Sequence, residues 1–166
     1  TSRELFEIRE KSGRLHHQDF LTVGSMGHCS SIALGIALAK PHREVVCIDG
    51  DGAMLMHLGA ITTIASLKPK NFHHILMNNE VHESVGWQYT AAKSVDLSAI
   101  VASTGSIQIF KAQTKIELES NISDFMMPSG PNFLEIKIQP GSRRDLGRPT
   151  IGPKNNKEDF MNFLKM

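Results

Sequence analysis

Only two cysteines, one tryptophan and one tyrosine occur in 166 residues, and the acidic and basic side chains nearly cancel, to a formal net charge of +1. Each shortage excludes something. Two cysteines make no disulfide-stapled scaffold, and without a CxxC spacing a zinc site is not expected. Cys29 and Cys47 lie among apolar and small residues, which suits reduced thiols in a cytoplasmic protein. A charge near zero supplies neither a field for nucleic acid nor an acidic tail, and a hydrophobic fraction of 40% argues against disorder. There is no apolar run long enough to cross a bilayer and no signal-peptide pattern. The length suits one domain with a real core, residues 1–166. The chain opens on Thr1 rather than Met; the expectation is the carboxyl-terminal part of a longer polypeptide or a processed form.

What is present is organised around residues 45–83. An apolar run, Val45-Val46-Cys47-Ile48, leads straight into Asp49-Gly50-Asp51-Gly52-Ala53. A helix-like segment follows over 54–67, with Leu58, Ile61 and Ala65 on one face. A second apolar run, Ile75-Leu76-Met77, ends at Asn78-Asn79. This reads as strand, glycine turn with a carboxylate, helix, and parallel strand ending in an amide. Both polar ends then fall at the carboxyl edge of a parallel sheet, where open α/β folds bind ligands.

The flanks fit the same alternation. Thr1 to Glu4 matches a capping box, opening a helix that carries Leu5 and Ile8 to a stop at Gly13. Phe20 to Val23 reads as a short strand ending at Gly24-Ser25-Met26-Gly27-His28. The next helix runs from Cys29 to Lys40, with Gly35 allowing close packing and Pro41 ending it. Further on come a helix over 96–103 closed by Gly105, a strand over 107–110, and a second capping box, Thr114 to Glu117, whose helix carries Leu118, Ile122, Phe125 and Met126. A turn over 128–131 leads to a last strand over 133–138, a loop with Arg143, Arg144 and Arg148, and a helix capped by Asn156 with Phe160, Phe163 and Leu164 inward. The fold class is therefore α/β, a doubly wound, mainly parallel sheet with helices on both faces and right-handed crossovers.

The chemistry of the central stretch follows from what magnesium and a diphosphate require. The ion takes six hard oxygens and keeps substrate phosphates and water among them, so one carboxylate plus neutral oxygens suffices. Asp51, the Asn79 amide oxygen and the Val81 carbonyl meet that need. Gly50 and Gly52 let the backbone approach the anion, and a helix beginning near Ala53 aims free amides at it. Helix-end attraction is worth only about 0.3–2 kcal/mol, so the metal must supply most of the binding. Alone, each motif also reads as an ordinary turn; the pair, separated by one crossover helix, does not. A dinucleotide site lacks both its GxGxxG and its ribose-binding acid here.

Gly50-Asp51-Gly52 followed by Asn78-Asn79 resembles the signature of the thiamine-diphosphate-dependent enzymes. Within them, the segments Thr22 to His28, Ser30 to Leu38, His82 to Gly86 and Asp145 to Thr150 resemble the phosphonopyruvate decarboxylase family and its sulfopyruvate decarboxylase relatives. The resemblance covers essentially the whole chain. It implies the diphosphate-binding half of a 2-oxo acid decarboxylase, with thiamine diphosphate and Mg2+ as cofactors. It implies Asp51 and Asn79 as magnesium ligands by side chain and Val81 by its carbonyl. Gly50, Gly52 and Ala53 would meet the diphosphate. Gly24, with Ser25 beside it, would hold the exocyclic amine of the pyrimidine, and Met26 would wedge the cofactor into its bent form. The implied reaction is addition of the thiazolium carbon to the ketone of 3-phosphonopyruvate, loss of carbon dioxide and release of phosphonoacetaldehyde, with His28, His82 and Glu83 as candidates for proton transfer or substrate contact. The three loop arginines are candidates for a phosphonate by forked hydrogen bonds.

Two departures stand out. Glu80 occupies a position where the family commonly has glycine, and Trp87 and Tyr89 follow where smaller residues are expected. The glutamate that activates the pyrimidine ring belongs, in this superfamily, to a separate pyrimidine-binding domain, and nothing in these residues resembles it. The expected partners are that domain or subunit, further copies in an oligomer, and a small 2-oxo acid, with neither nucleic acid nor membrane. Sulfopyruvate decarboxylase β subunit, or a non-catalytic partner keeping the fold, are the alternative readings.

Overall fold

The computed structural model describes residues 1–127 and 129–166, so the first residue of the expected 128–131 turn lies outside it. Contacts divide the chain into two compact units, residues 27–140 and residues 1–26 with 141–166. The larger unit holds a four-stranded sheet of β1 (Val45–Gly50), β2 (Phe72–Asn78), β3 (Gln108–Ala112) and β4 (Asn132–Lys137), in the order β1-β2-β4-β3, with every pairing parallel. This is the α/β class expected from the alternation. The strands are longer than their apolar runs: β2 takes in His73 and His74, which are polar and fully interior.

Both faces of the sheet are covered. On one, Phe72 and Leu76 of β2 and Phe133 of β4 meet α2 (Cys29–Ala39), α4 (Ala60–Leu67) and α5 (Leu97–Ala102) through Ala33, Leu34, Ile61, Ile64 and Val101. On the other, Ala112, Leu134 and Phe125 form a smaller cluster under α6 (Lys115–Phe125). Fully burying each large side chain contributes about 1.5–3 kcal/mol. The Thr114 capping box is complete: its hydroxyl accepts from the Glu117 amide, and the Glu117 carboxylate accepts from the Thr114 amide. Asp96 caps α5 by accepting from the Ala99 amide.

The segment read as one helix over 54–67 is two. The first, α3 (Asp51–Met56), starts with Gly50 as its cap, three residues earlier than expected. A turn over 57–59 separates it from α4, where Gly59, a poor helix former, precedes the restart. Gly35 has no neighbour within 4 Å of where a Cβ would stand, so it does not serve close packing.

The smaller unit differs more from expectation. Its first helix, α1 (Ser2–Ser12), ends at Gly13 in the left-handed conformation, as read. The Thr1 capping box does not form, because Glu4 turns instead to the Arg143 guanidinium, 3.3 Å away. The buried residue of α1 is Phe6, while Ile8 is exposed. Residues 20–23 form no strand; the Leu21 amide donates to the side-chain oxygen of Asn156, whose amide group donates back to the Asp19 carbonyl. Asn156 therefore clamps a loop from inside α7 (Pro153–Lys165), and Gly152 caps that helix.

Candidate active site

The parallel register sets Gly50, the last residue of β1, beside Met77 near the end of β2. Asp51 begins α3 immediately after β1 and is 2% exposed. Its Oδ2 accepts a 2.5 Å hydrogen bond from the Thr90 hydroxyl. Thr90 is itself buried and anchored, its amide donating to the Glu80 carbonyl and its hydroxyl accepting from the Ala92 amide. Among the described residues no cationic side chain pairs with Asp51. A buried carboxylate without a countercharge is costly unless something positive meets it.

Asn78 and Asn79 divide the labour of the second turn. Asn78, buried, donates from its Nδ2 to Glu135 at 2.6 Å and accepts from the Glu80 amide. Glu135 in turn accepts from the Ser98 hydroxyl, and Lys137 lies 3.6 Å away. This is a structural network. Asn79 is half-buried; its Nδ2 donates to Glu83 at 2.9 Å and its Oδ1 accepts from the Val81 amide. An amide oxygen has a second lone pair, so Asn79 can still ligate.

Glu80 has φ +62, the left-handed conformation that favours glycine. Its carboxylate is held at 2.8 Å by Lys137, which neutralises the extra charge beside the turn. The Val81–Tyr89 bridge and the His82 amide donating to the Gln88 carbonyl close the following residues into a tight loop. Trp87 and Tyr89 point outward, 57% and 67% exposed. The misfit expected of these large residues is thus relieved by facing solvent.

The other candidates have distinct surroundings. A Cβ on Gly52 would stand 2.5 Å from Nδ1 of His82, so only glycine lets that imidazole lie against the start of α3. The same His82 nitrogen is buried without a hydrogen-bond partner. Ala53 is half-buried one residue on. His28 is exposed at the cap of α2, its ring 4.1 Å from that of His57. Gly24, Ser25 and Met26 belong to the smaller unit; Gly24 and Ser25 have φ of +70 and +37, and Met26 is half-buried. Arg143 is occupied by Glu7 at 2.6 Å and by Glu4; the Arg143 guanidinium and the Gly147 amide hold the Glu7 carboxyl down to about 2. Arg144 and Arg148 are exposed.

The donors fit the expected cation: one buried carboxylate, one amide oxygen and one backbone carbonyl make a hard-oxygen set. Thr90 escaped the sequence reading. It stands 39 residues from Asp51, and no local pattern marks it. Lys137 escaped the sequence reading too, since its place beside the asparagine pair comes from its register with Asn78 across β2 and β4.

Comparison with known proteins shows the family. Residues 3–136 match the family described as thiamine pyrophosphate enzyme, C-terminal TPP binding domain. The chain is 36% identical over 98% of its length to a phosphonopyruvate decarboxylase from Streptomyces hygroscopicus, of which it spans 39%. It is 31% identical over 99% of its length to a sulfopyruvate decarboxylase subunit beta from Methanococcus maripaludis, spanning 84% of that subunit. A putative thiamin diphosphate-dependent enzyme from Mycobacterium smegmatis superposes on 70% of the chain with a TM-score of 0.61 and 26% identity, the match taking up 22% of that larger protein. With the glycine turn after β1 and the asparagine pair after β2 in adjacent positions, this chain belongs to the thiamine pyrophosphate enzyme family as its C-terminal TPP-binding domain.

Proposed function

We propose that the chain is the cofactor-binding part of a decarboxylase that converts 3-phosphonopyruvate to phosphonoacetaldehyde and carbon dioxide, in phosphonate biosynthesis. One observation carries the reading to the residue level: Asp51 is a buried carboxylate at the carboxyl end of a parallel strand, and among the described residues no cationic side chain pairs with it. Asp51, the Asn79 amide oxygen and the Val81 carbonyl would hold Mg2+. Gly50, Gly52 and Ala53 would present backbone to the diphosphate. Gly24 would accept the pyrimidine amine, and Ser25 and Met26 would shape the bend of the cofactor. When bound, thiamine diphosphate supplies the nucleophilic carbon and the electron sink for loss of carbon dioxide.

The protein's own groups then position and move protons. Thr90 fixes one Asp51 oxygen and leaves the other to the metal. Asn79 orients Glu83. His82, with one ring nitrogen already unpartnered beside Gly52, is the best-placed proton carrier, with Glu83 and His28 as further candidates for substrate contact. Arg144 and Arg148 are the arginines left for a phosphonate. A pyrimidine-binding domain or subunit must complete the site, in a homo-oligomer or mixed assembly.

A second reading makes the chain a sulfopyruvate decarboxylase β subunit; its support is the 84% span of such a subunit. The test is carbon dioxide release by the chain assembled with its pyrimidine-binding partner, magnesium and thiamine diphosphate, on phosphonopyruvate, sulfopyruvate and pyruvate in parallel. The first reading expects phosphonopyruvate to turn over fastest. Preference for sulfopyruvate transfers the assignment to the second. No release from any of them removes both.

A further inference from the structure

A different set of polar groups meets on the helix-covered face of β1 and β2. Cys47 and Asp49 alternate onto that face of β1, and His74 is the register partner of Cys47 on β2. All three side chains are buried, and one ligand atom from each lies within 4.8 Å of those of the others. Nε2 of His74 is 3.9 Å from Oδ2 of Asp49. Cys29, the first residue of α2, brings its Sγ to 3.5 Å from that of Cys47. Oδ2 of Asp49 and both His74 nitrogens lack any hydrogen-bond partner among the described residues, although Asp49 is 5% and His74 2% exposed; the other Asp49 oxygen accepts from the Gly50 amide. Polar atoms this deep are ordinarily bonded.

We propose that Cys47, Asp49 and His74, with Cys29 as fourth donor, bind a borderline divalent cation of the Zn2+ class at a site separate from Asp51. The donor set is thiolate, imidazole and carboxylate, which suits such an ion and not the hard-oxygen preference of magnesium. Zinc bonds of about 2.0–2.3 Å imply tetrahedral ligand-to-ligand distances of roughly 3.3–3.8 Å. The Cys29–Cys47 separation of 3.5 Å is at that scale and the Asp49–His74 separation of 3.9 Å is close to it; the other pairs among Cys47, Asp49 and His74, all within 4.8 Å, need at most about 1 Å of contraction. On binding, the Cys47 thiol, and that of Cys29, release their protons to solvent as the sulfurs coordinate. Cys29 is only half-buried, which gives the ion its approach. No short spacing announces the set, because it is assembled from α2, β1 and β2; this is why the missing CxxC does not exclude it.

The full-length protein should carry about one zinc per chain when purified without chelator and analysed by plasma mass spectrometry. After zinc removal, titration with Co2+ should give visible bands with a near-ultraviolet thiolate charge-transfer band. Cys47→Ser should remove that band. His74→Gln should weaken Co2+ binding at least about tenfold with an unchanged far-ultraviolet dichroism spectrum, and His74→Cys should restore binding with a stronger thiolate band. Asp51→Asn should leave the band intact, which separates this site from the magnesium site. The proposal is overturned if zinc is substoichiometric and no thiolate band forms, if the band survives in both Cys47→Ser and His74→Gln, or if the native protein proves two mass units light through a Cys29–Cys47 disulfide.

Discussion

His73 and His74 are neighbours on β2, equally interior, and differ in what surrounds them. His73 faces the α6 side, where its Nδ1 donates to the Phe125 carbonyl at 2.8 Å and its Nε2 lies 2.5 Å from the Glu44 carboxylate. His74 faces the other side, among Phe72 and Phe133, with no hydrogen bond to either ring nitrogen among the described residues. Burial accordingly pushes His74 down to about 4 and, on the same face, pushes Asp49 up to about 6. A satisfied buried polar group is part of the scaffold. An unsatisfied one is a position held for something else, or a standing cost. The same contrast recurs at the strand ends, where the Asn78–Glu135–Ser98 network is closed and Asp51 has the Thr90 hydroxyl but no cationic side chain among the described residues.

The contrast can be broken most forcefully at Glu135. Glu135→Leu leaves the Asn78 amide group and the Ser98 hydroxyl without their acceptor in the interior and should cost about 3 kcal/mol in urea unfolding. A cost below about 1 kcal/mol would mean that this network does not stabilise the fold. His73→Phe should cost about 1 kcal/mol, since it removes one of two donors to the Phe125 carbonyl, the Asn132 side-chain amide remaining; an unchanged urea midpoint would remove the distinction between the two histidines. The same change at its neighbour, His74→Phe, should in metal-free protein be neutral or stabilising by up to about 1 kcal/mol, because an unbonded polar ring is exchanged for an apolar one. Loss of more than that would show that His74 has partners in solution. Smallest of all, Glu80→Gly should alter stability by no more than about 0.5 kcal/mol, as relief at φ +62 offsets the lost Lys137 ion pair.

Acidification provides a control on a half-buried carboxylate. Glu7 is held down to about 2 by Arg143 and the Gly147 amide, a depressed value. Its tie to Arg143 is therefore intact above pH 4.5 and is lost as pH falls through about 2. The Gly147 amide resonance should follow that titration; a midpoint at the ordinary carboxylate value would mean that the tie is absent.

The elements whose signals are local were legible in the sequence. The glycine turn after β1, the asparagine pair after β2, the Thr114 box and the Pro41 stop all depend on residues within a few positions of one another. The break of the 54–67 helix before Gly59 is local and was missed, but two other failures depended on distant partners. Glu4 left the Thr1 cap for Arg143, 139 residues away, and Asn156 left its helix end for Leu21 and Asp19. Glu80 is intermediate: the departure from glycine was visible, but its remedy, Lys137, is visible only once β2 and β4 are paired. Thr90 and the Cys47, Asp49 and His74 cluster lie wholly in that second category.

The central claim is that Asp51 anchors the metal through which this domain holds its cofactor. It is tested most directly by titrating thiamine diphosphate into the chain assembled with its pyrimidine-binding partner, with and without magnesium, as wild type and as Asp51→Ala. The wild type should bind in a magnesium-dependent manner, and Asp51→Ala should lose both that dependence and at least about a hundredfold in affinity. Magnesium-dependent binding that survives in Asp51→Ala would contradict it.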